Sequence, residues 1–352
     1  MIKILLVDDS DIALTILTRL LSSDPDIEIV GTAKNGGDAL ALIPKVKPDI
    51  VCTDYYMPGM DGLELTKRIV ARYQLPILVV SGVLDKKNSS KIFALIEAGA
   101  LDILEKPLVY STKDDPSVQK LIQTIHQLMA RSRKPFYNLS IKPKTLNQEI
   151  QPEEYRIIGI GASTGGPAAI KTIIKNFPST FQIPIICVQH MSHGFLEGFI
   201  EWLQIEVQLK VKIMENNDLL QGGYIYFPQE DTHLEVFDKD RLIATTKRAA
   251  QHHRPSIDVS LTSIAHHYQA ATIGVLLTGM GSDGAKGMEA IAQAGGMTIV
   301  QDQQSCIVSS MPEETIKLNA AQLILPLEEI GPHLLKIVNR ISIHKLKKKD
   351  DK

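Results

Sequence analysis

Cysteine is scarce in this chain: Cys52, Cys187 and Cys306 are the only three in 352 residues and lie far apart. That excludes a disulfide framework and reads as small core residues in a reducing compartment. Long apolar runs are also missing. None approaches the roughly 20 residues that a membrane span needs. Met1 to Val7 carries a single lysine and runs straight into acids, which does not match a signal peptide. Neither sign of charge dominates, because 38 basic residues face 40 acidic ones for a net charge of −2. Nothing global therefore points to nucleic acid, and the basic cluster Lys345 to Lys349 reads as a solvated tail. No internal repeat is visible. These absences predict a cytoplasmic protein without membrane insertion or nucleic-acid binding.

What is present fits two domains. A chain of 352 residues exceeds a usual single domain, and dividing by about 150 gives a prior of two. In the first 130 residues short apolar runs (Lys3 to Val7, Glu28 to Ala33, Asp49 to Thr53, Pro76 to Ser81, Leu101 to Leu104) alternate with amphipathic segments such as Ile12 to Leu21 and Gly62 to Tyr73. Strict alternation implies a parallel sheet with helices on both faces. Residues 131–154 mix Arg, Lys, Pro, Asn and Gln without period and read as a linker. Alternation resumes over 155–343, with strands expected at Ile183 to Gln189, Thr272 to Leu277 and Met297 to Gln301, ahead of a charged tail at 344–352. Gly223 to Phe227, His233 to Phe237 and Arg241 to Thr245 lie close together and look hairpin-like. The expected fold is α/β: two doubly wound, mostly parallel sheets, the second Rossmann-like with an antiparallel hairpin.

Chemistry in open α/β sheets gathers at the carboxyl ends of the strands. In the first domain Asp8 and Asp9 end the first strand, Asp54 the third and Ser81 the fourth, and Lys106-Pro107 follows the fifth. Three converging carboxylates would repel unless a divalent, oxygen-preferring cation such as Mg²⁺ neutralised them. One of them can then attack phosphorus, while the lysine and hydroxyl hold the new phosphoryl oxygens. A single Asp after a strand commonly just caps the next helix; five such positions together are another matter.

Val7-Asp8-Asp9-Ser10, Asp54 through Gly62, and Ala98-Gly99-Ala100 through Lys106-Pro107 resemble the response-regulator receiver domain over about residues 1–125. The resemblance implies a flavodoxin-like fold with Asp54 as phospho-acceptor. It further implies Mg²⁺ on Asp8, Asp9 and Asp54, and Ser81 and Lys106 reading the phosphorylated state. Receivers often carry Tyr or Phe three residues before the lysine; Ile103 stands there instead.

In the second domain the apolar run Arg156 to Ile160 ends in Gly161-Ala162-Ser163-Thr164-Gly165-Gly166-Pro167. A serine on a glycine-flanked turn between strand and helix is how many serine hydrolases present their nucleophile. Ser163 needs a base and a group to orient that base. His190 is the best placed of ten histidines, closing the run Ile183 to Gln189; His193, His252-His253 and His266-His267 are weaker. Asp283, in the glycine-rich loop Thr278 to Gly284, suits the third role, against the plainer reading that it caps the helix from Ala285. The backbone N–H of Thr164 is the natural oxyanion donor, helped by the 278–281 loop. The order Ser, His, Asp differs from the Ser, acid, His of α/β-hydrolases. Gly159-x-Gly161-x-x-x-Gly165 also suggests a dinucleotide turn, but the next strand ends in Gln189-His190-Met191-Ser192, without the acid or arginine such a site uses.

Ile160 to Gly166, Val188 to Met191, Arg254-Pro255-Ser256-Ile257-Asp258 and Leu277 to Gly284 resemble the catalytic domain of CheB-type chemotaxis protein-glutamate methylesterases. This resemblance implies a Ser163, His190, Asp283 triad with Thr164 and Met280 near the oxyanion. It implies hydrolysis of glutamyl methyl esters on chemoreceptor helices, with deamidation of receptor glutamines, and no cofactor for the esterase chemistry. A chemotaxis histidine kinase would be the phosphodonor. The unphosphorylated receiver would cover the active face and inhibit.

Overall fold

Apolar β-branched runs bounded by polar turns give strands buried on both faces, and this pattern sets both halves of the chain. The structure, a computed structural model, describes residues 1–82, 89–131, 155–238, 240–247 and 253–350. Apart from Arg131, the expected linker at 131–154 lies outside the described residues, as do His252 and the last two residues of the expected tail. The chain divides into two compact units.

The first unit runs β1 (Ile2–Val7), α1 (Asp11–Leu21), β2 (Ile27–Ala33), α2 (Gly36–Val46), β3 (Ile50–Thr53), α3 (Gly62–Tyr73), β4 (Ile77–Ser81), α4 (Ser89–Ile92), α5 (Ala94–Glu97), β5 (Asp102–Glu105) and α6 (Pro116–Arg131). All its strands are parallel, in the order β2-β1-β3-β4-β5, the flavodoxin-like winding. Helix starts are set by side chains. Ser10, Asn35 and Asp61 each accept a backbone N–H of the first turn that follows, satisfying donors that a helix leaves open.

From residue 155 onward the chain runs β6 (Ile157–Ala162), α7 (Gly166–Ile174), β7 (Ile185–Gln189), α8 (Leu196–Glu206), β8 (Lys210–Ile213), β9 (Tyr224–Phe227), β10 (His233–Phe237), β11 (Arg241–Thr245), α9 (Ile257–Tyr268), β12 (Thr272–Leu276), α10 (Ala285–Gln293), β13 (Met297–Gln301), α11 (Ser310–Lys317), β14 (Leu323–Leu325) and α12 (Leu327–Asp350), all of it in the second unit except residues 191–199, which belong to the first. Seven strands form a parallel sheet in the order β14-β13-β12-β6-β7-β9-β8.

One expectation is corrected here. Of the three hairpin-like segments only β10 and β11 pair antiparallel. Residues 224–227 join the main sheet between β7 and β8, parallel to both. The physical reason is burial: Ile225, Tyr226 and Phe227 are all buried, and a place inside the sheet covers both faces of the strand.

The order β12-β6-β7 places three strand ends side by side at the carboxyl edge. Helix α9 packs Ile257, Leu261 and Ile264 into the core that covers them, each such side chain contributing about 1.5–3 kcal/mol. Cys52, Cys187 and Cys306 are free and buried; burial pushes the Cys52 thiol up to about 12 and the Cys187 thiol higher still. Among the described residues no helix is long and apolar enough to cross a membrane.

Candidate functional site

In the first unit the expected residues meet at one end of the sheet. Asp54 Oδ1 accepts the hydroxyl of Ser81 at 2.6 Å and the N–H of Tyr55 at 2.6 Å. Lys106 Nζ lies 2.8 Å from Asp54 Oδ2 and 2.5 Å from Asp8 Oδ2. Asp8, Asp9 and Asp54 each offer one oxygen within 4.8 Å of the others, the one such cluster among the described residues. Burial raises the Asp8 carboxyl above its usual value, and the Asp54 charge adds to this while Lys106 and the Ser10 N–H oppose it. Burial acts to lower Lys106, but its two carboxylate partners outweigh that and hold it above its usual value. A crowded, oxygen-only, carboxylate-rich pocket of this kind fits Mg²⁺ by donor chemistry and charge. Ile103 sits half-buried on β5.

In the second unit the nucleophile candidate follows β6 directly. Ser163 N–H donates to the Thr278 carbonyl, tying the serine turn to the loop after β12. Gly165 takes φ +76° and caps α7, a left-handed conformation that favours glycine. Gly279 is required for another reason: a Cβ there would lie 2.8 Å from Ser163 Cβ and 2.1 Å from Met311 Sδ. Gln189 joins the two turns, its Nε2 donating to the Ser163 carbonyl at 2.8 Å and the His190 carbonyl at 2.7 Å.

His190 follows β7, and its Nε2 lies 2.9 Å from Asp283 Oδ2. Asp283 is almost wholly buried and accepts three further bonds: Ser256 Oγ at 3.0 Å, Ile257 N at 2.8 Å and Asp258 N at 3.0 Å. Burial would raise its carboxyl, but the hydrogen bond and charge of His190, with the Asp258 and Ile257 N–H groups, hold it well below the usual range. It does not cap α10. Gly284 occupies that cap without a side chain, and Asp258 Oδ1 takes the N–H groups of Gly284 and Gly287, both at 2.8 Å.

The structure thus pairs His190 with Asp283 but makes no hydrogen bond from Ser163 Oγ to His190 among the described residues. Such bonds are commonly long before substrate binds and tighten in the Michaelis complex. With Nε2 turned to Asp283, Nδ1 is the nitrogen left to serve as base. Neither the N–H of Thr164 nor that of Met280 is engaged among the described residues, leaving both open to an oxyanion. Of the other histidines, His253 stacks on His190 with ring centroids 4.7 Å apart, while His266 and His267 lie exposed on α9.

Sequence reasoning did not assign roles to Ser256, Asp258, His233, Gln189 or Thr278. Thr278 Oγ1 accepts the N–H groups of Ile307 and Val308 and donates to the Thr164 carbonyl. A local signal for two of them was Ser256-Ile257-Asp258 ahead of an apolar-periodic run, a helix-start pattern.

Residues 158–334 match the family model for CheB methylesterase and residues 4–125 that for the response regulator receiver domain. A relative from Geobacter metallireducens, named protein-glutamate methylesterase/protein-glutamine glutaminase 4, is 37% identical over 336 residues, covering 94% of this chain and 97% of its own. One of the same type from Methanospirillum hungatei is 37% identical over 347 residues, covering 97% and 99%. The crystal structure of the Thermotoga maritima CheB methylesterase catalytic domain matches with a TM-score of 0.50 at 34% identity, covering 53% of this chain and 98% of that one.

Proposed function

The chain belongs to the CheB methylesterase family, and from that premise we propose that it hydrolyses glutamyl methyl esters on chemoreceptors under the control of its own receiver. The observation that carries the reading is the His190–Asp283 pair at 2.9 Å, set at the strand end next to the one carrying Ser163. In this reading His190 Nδ1 takes the Ser163 proton while the anionic Asp283 steadies the imidazolium. Ser163 Oγ attacks the ester carbonyl, and the N–H groups of Thr164 and Met280 receive the oxyanion. His190 returns the proton to the departing methoxide; methanol leaves, and water, deprotonated by the same imidazole, releases glutamate. A glutamine amide would follow the same path with ammonia leaving, in keeping with the glutaminase names of the relatives. No cofactor is needed.

Control runs through Asp54 as phospho-acceptor, with a chemotaxis histidine kinase as donor. Mg²⁺ held by Asp8, Asp9 and Asp54 would supply charge neutralisation for the incoming phosphoryl group. Ser81 and Lys106, already on Asp54, would pass to the phosphoryl oxygens. The unphosphorylated receiver restrains the esterase, and phosphorylation relieves it. The test is methanol release from methylated receptor fragments, with and without a small phosphodonor and Mg²⁺. Turnover that rises with the phosphodonor supports the reading; binding without turnover would sink it in favour of a binding module.

A further inference from the structure

We infer that His233 is a positioning residue for Asp283, acting through Ser256; this rests on the Ser163–His190–Asp283 reading. His233 opens β10 and is 0% exposed, a buried titratable group that the mechanism above does not use. Its Nδ1 accepts the N–H of Ser256 at 3.0 Å, and its Nε2 lies 2.8 Å from the Lys247 carbonyl. A ring nitrogen that accepts from an amide carries no proton, so the ring is neutral and donates from Nε2. Both ends of the imidazole are thereby committed to backbone.

What this holds in place is the start of α9. Ser256, Ile257 and Asp258 together supply three of the four bonds on the Asp283 carboxylate, and His190 supplies the fourth. His233 anchors the first residue of that trio and ties it across to the end of the β10–β11 hairpin. A shift of the trio would rotate the carboxylate away from His190 Nε2, and misplacement by about 1 Å can cost on the order of a hundredfold in rate. The hairpin itself has other ties to α9. Ser260 Oγ donates to the Leu234 carbonyl at 2.6 Å, and Ser263 Oγ accepts the Val236 N–H at 2.8 Å. Removing the imidazole therefore leaves the hairpin seated and disturbs the trio.

The experiment uses the full chain and methanol release from methylated receptor fragments. Asparagine at 233 places an acceptor near the Nδ1 position and can keep the Ser256 bond; glutamine reaches toward Nε2 and keeps only the Lys247 bond. His233→Ala and His233→Gln should lower kcat by about 10- to 100-fold with KM within about twofold, and His233→Asn should recover most of that loss. Equal rates for the Asn and Gln variants, or a wild-type kcat for His233→Ala, would overturn the inference. If His233→Ala fails to fold, the conservative pair carries the test: a kcat near wild type in His233→Asn with one about 10- to 100-fold lower in His233→Gln supports the path, and equal rates overturn it. Asp283→Asn separates the two levels. Loss there beside full turnover in His233→Ala defeats the positioning role alone, whereas full turnover in Asp283→Asn defeats the triad.

Discussion

Asp258 and Asp283 cap each other's helices. Asp258, in the first turn of α9, accepts the N–H groups of Gly284 and Gly287 at the start of α10. Asp283, just ahead of α10, accepts those of Ile257 and Asp258 at the start of α9. Each carboxylate lies at a helix N-terminus, where negative charge is favoured. The exchange fixes the loop that carries Asp283 and Met280.

The pair is unequal, and that gives a pH prediction. Burial, together with the nearby Asp283 charge, pushes the Asp258 carboxyl from 3.8 up to about 6. A folded value above the unfolded one means that the fold favours the protonated acid. The Asp258 contribution is therefore full below the unfolded value and is lost as pH rises through about 6. Asp258→Asn keeps an oxygen for both N–H groups and removes the charge. The variant should gain stability relative to wild type between about pH 4.5 and about pH 7.5, by about 1–3 kcal/mol. Calorimetric melting of both proteins at the two pH values checks this; a difference independent of pH would contradict it.

Gly279→Ala tests the close approach at the nucleophile. Met311 can move its thioether, but Ser163 Cβ is held by the turn and cannot easily yield the 2.8 Å contact. The expected result is a kcat at least about tenfold lower with a smaller change in KM. Wild-type kcat would show that the serine turn has slack.

Asp54→Asn should abolish phosphoryl incorporation from a radiolabelled small phosphodonor, along with any stimulation of methanol release. Chelation of divalent cations should likewise abolish incorporation while leaving basal ester hydrolysis unchanged, since the proposed serine mechanism routes no step through a metal. A basal rate that falls with the chelator would contradict the division of labour between the two sites.

Much of this site was legible in sequence because parallel α/β sheets place chemistry at strand ends. Ser163, His190 and Asp283 each follow an apolar run, and β6, β7 and β12 turn out to be neighbours. Asp8, Asp54, Ser81 and Lys106 converge for the same reason. What sequence could not give was pairing between distant segments. The placement of β9 beside β7 depends on Ile185 meeting Ile225, whereas nearness in the chain suggested a hairpin. The short strand β8 was missed because Lys210–Ile213 alternates charge with apolar residues over only four positions. The support of Asp283 by His233 and Ser256 spans 23 to 27 residues of separation, beyond any local pattern. The plainer reading set against its triad role made Asp283 a cap for its own helix; it is a cap, but for the other one.

The central claim is that Ser163 is the nucleophile of an ester hydrolase. Its most direct test is methanol release from methylated receptor fragments by the full chain, with and without Ser163→Ala, in parallel with labelling by a serine-reactive probe. The account predicts turnover and Ser163 labelling in the wild type and the loss of both in the variant. Methanol release that survives Ser163→Ala would contradict it.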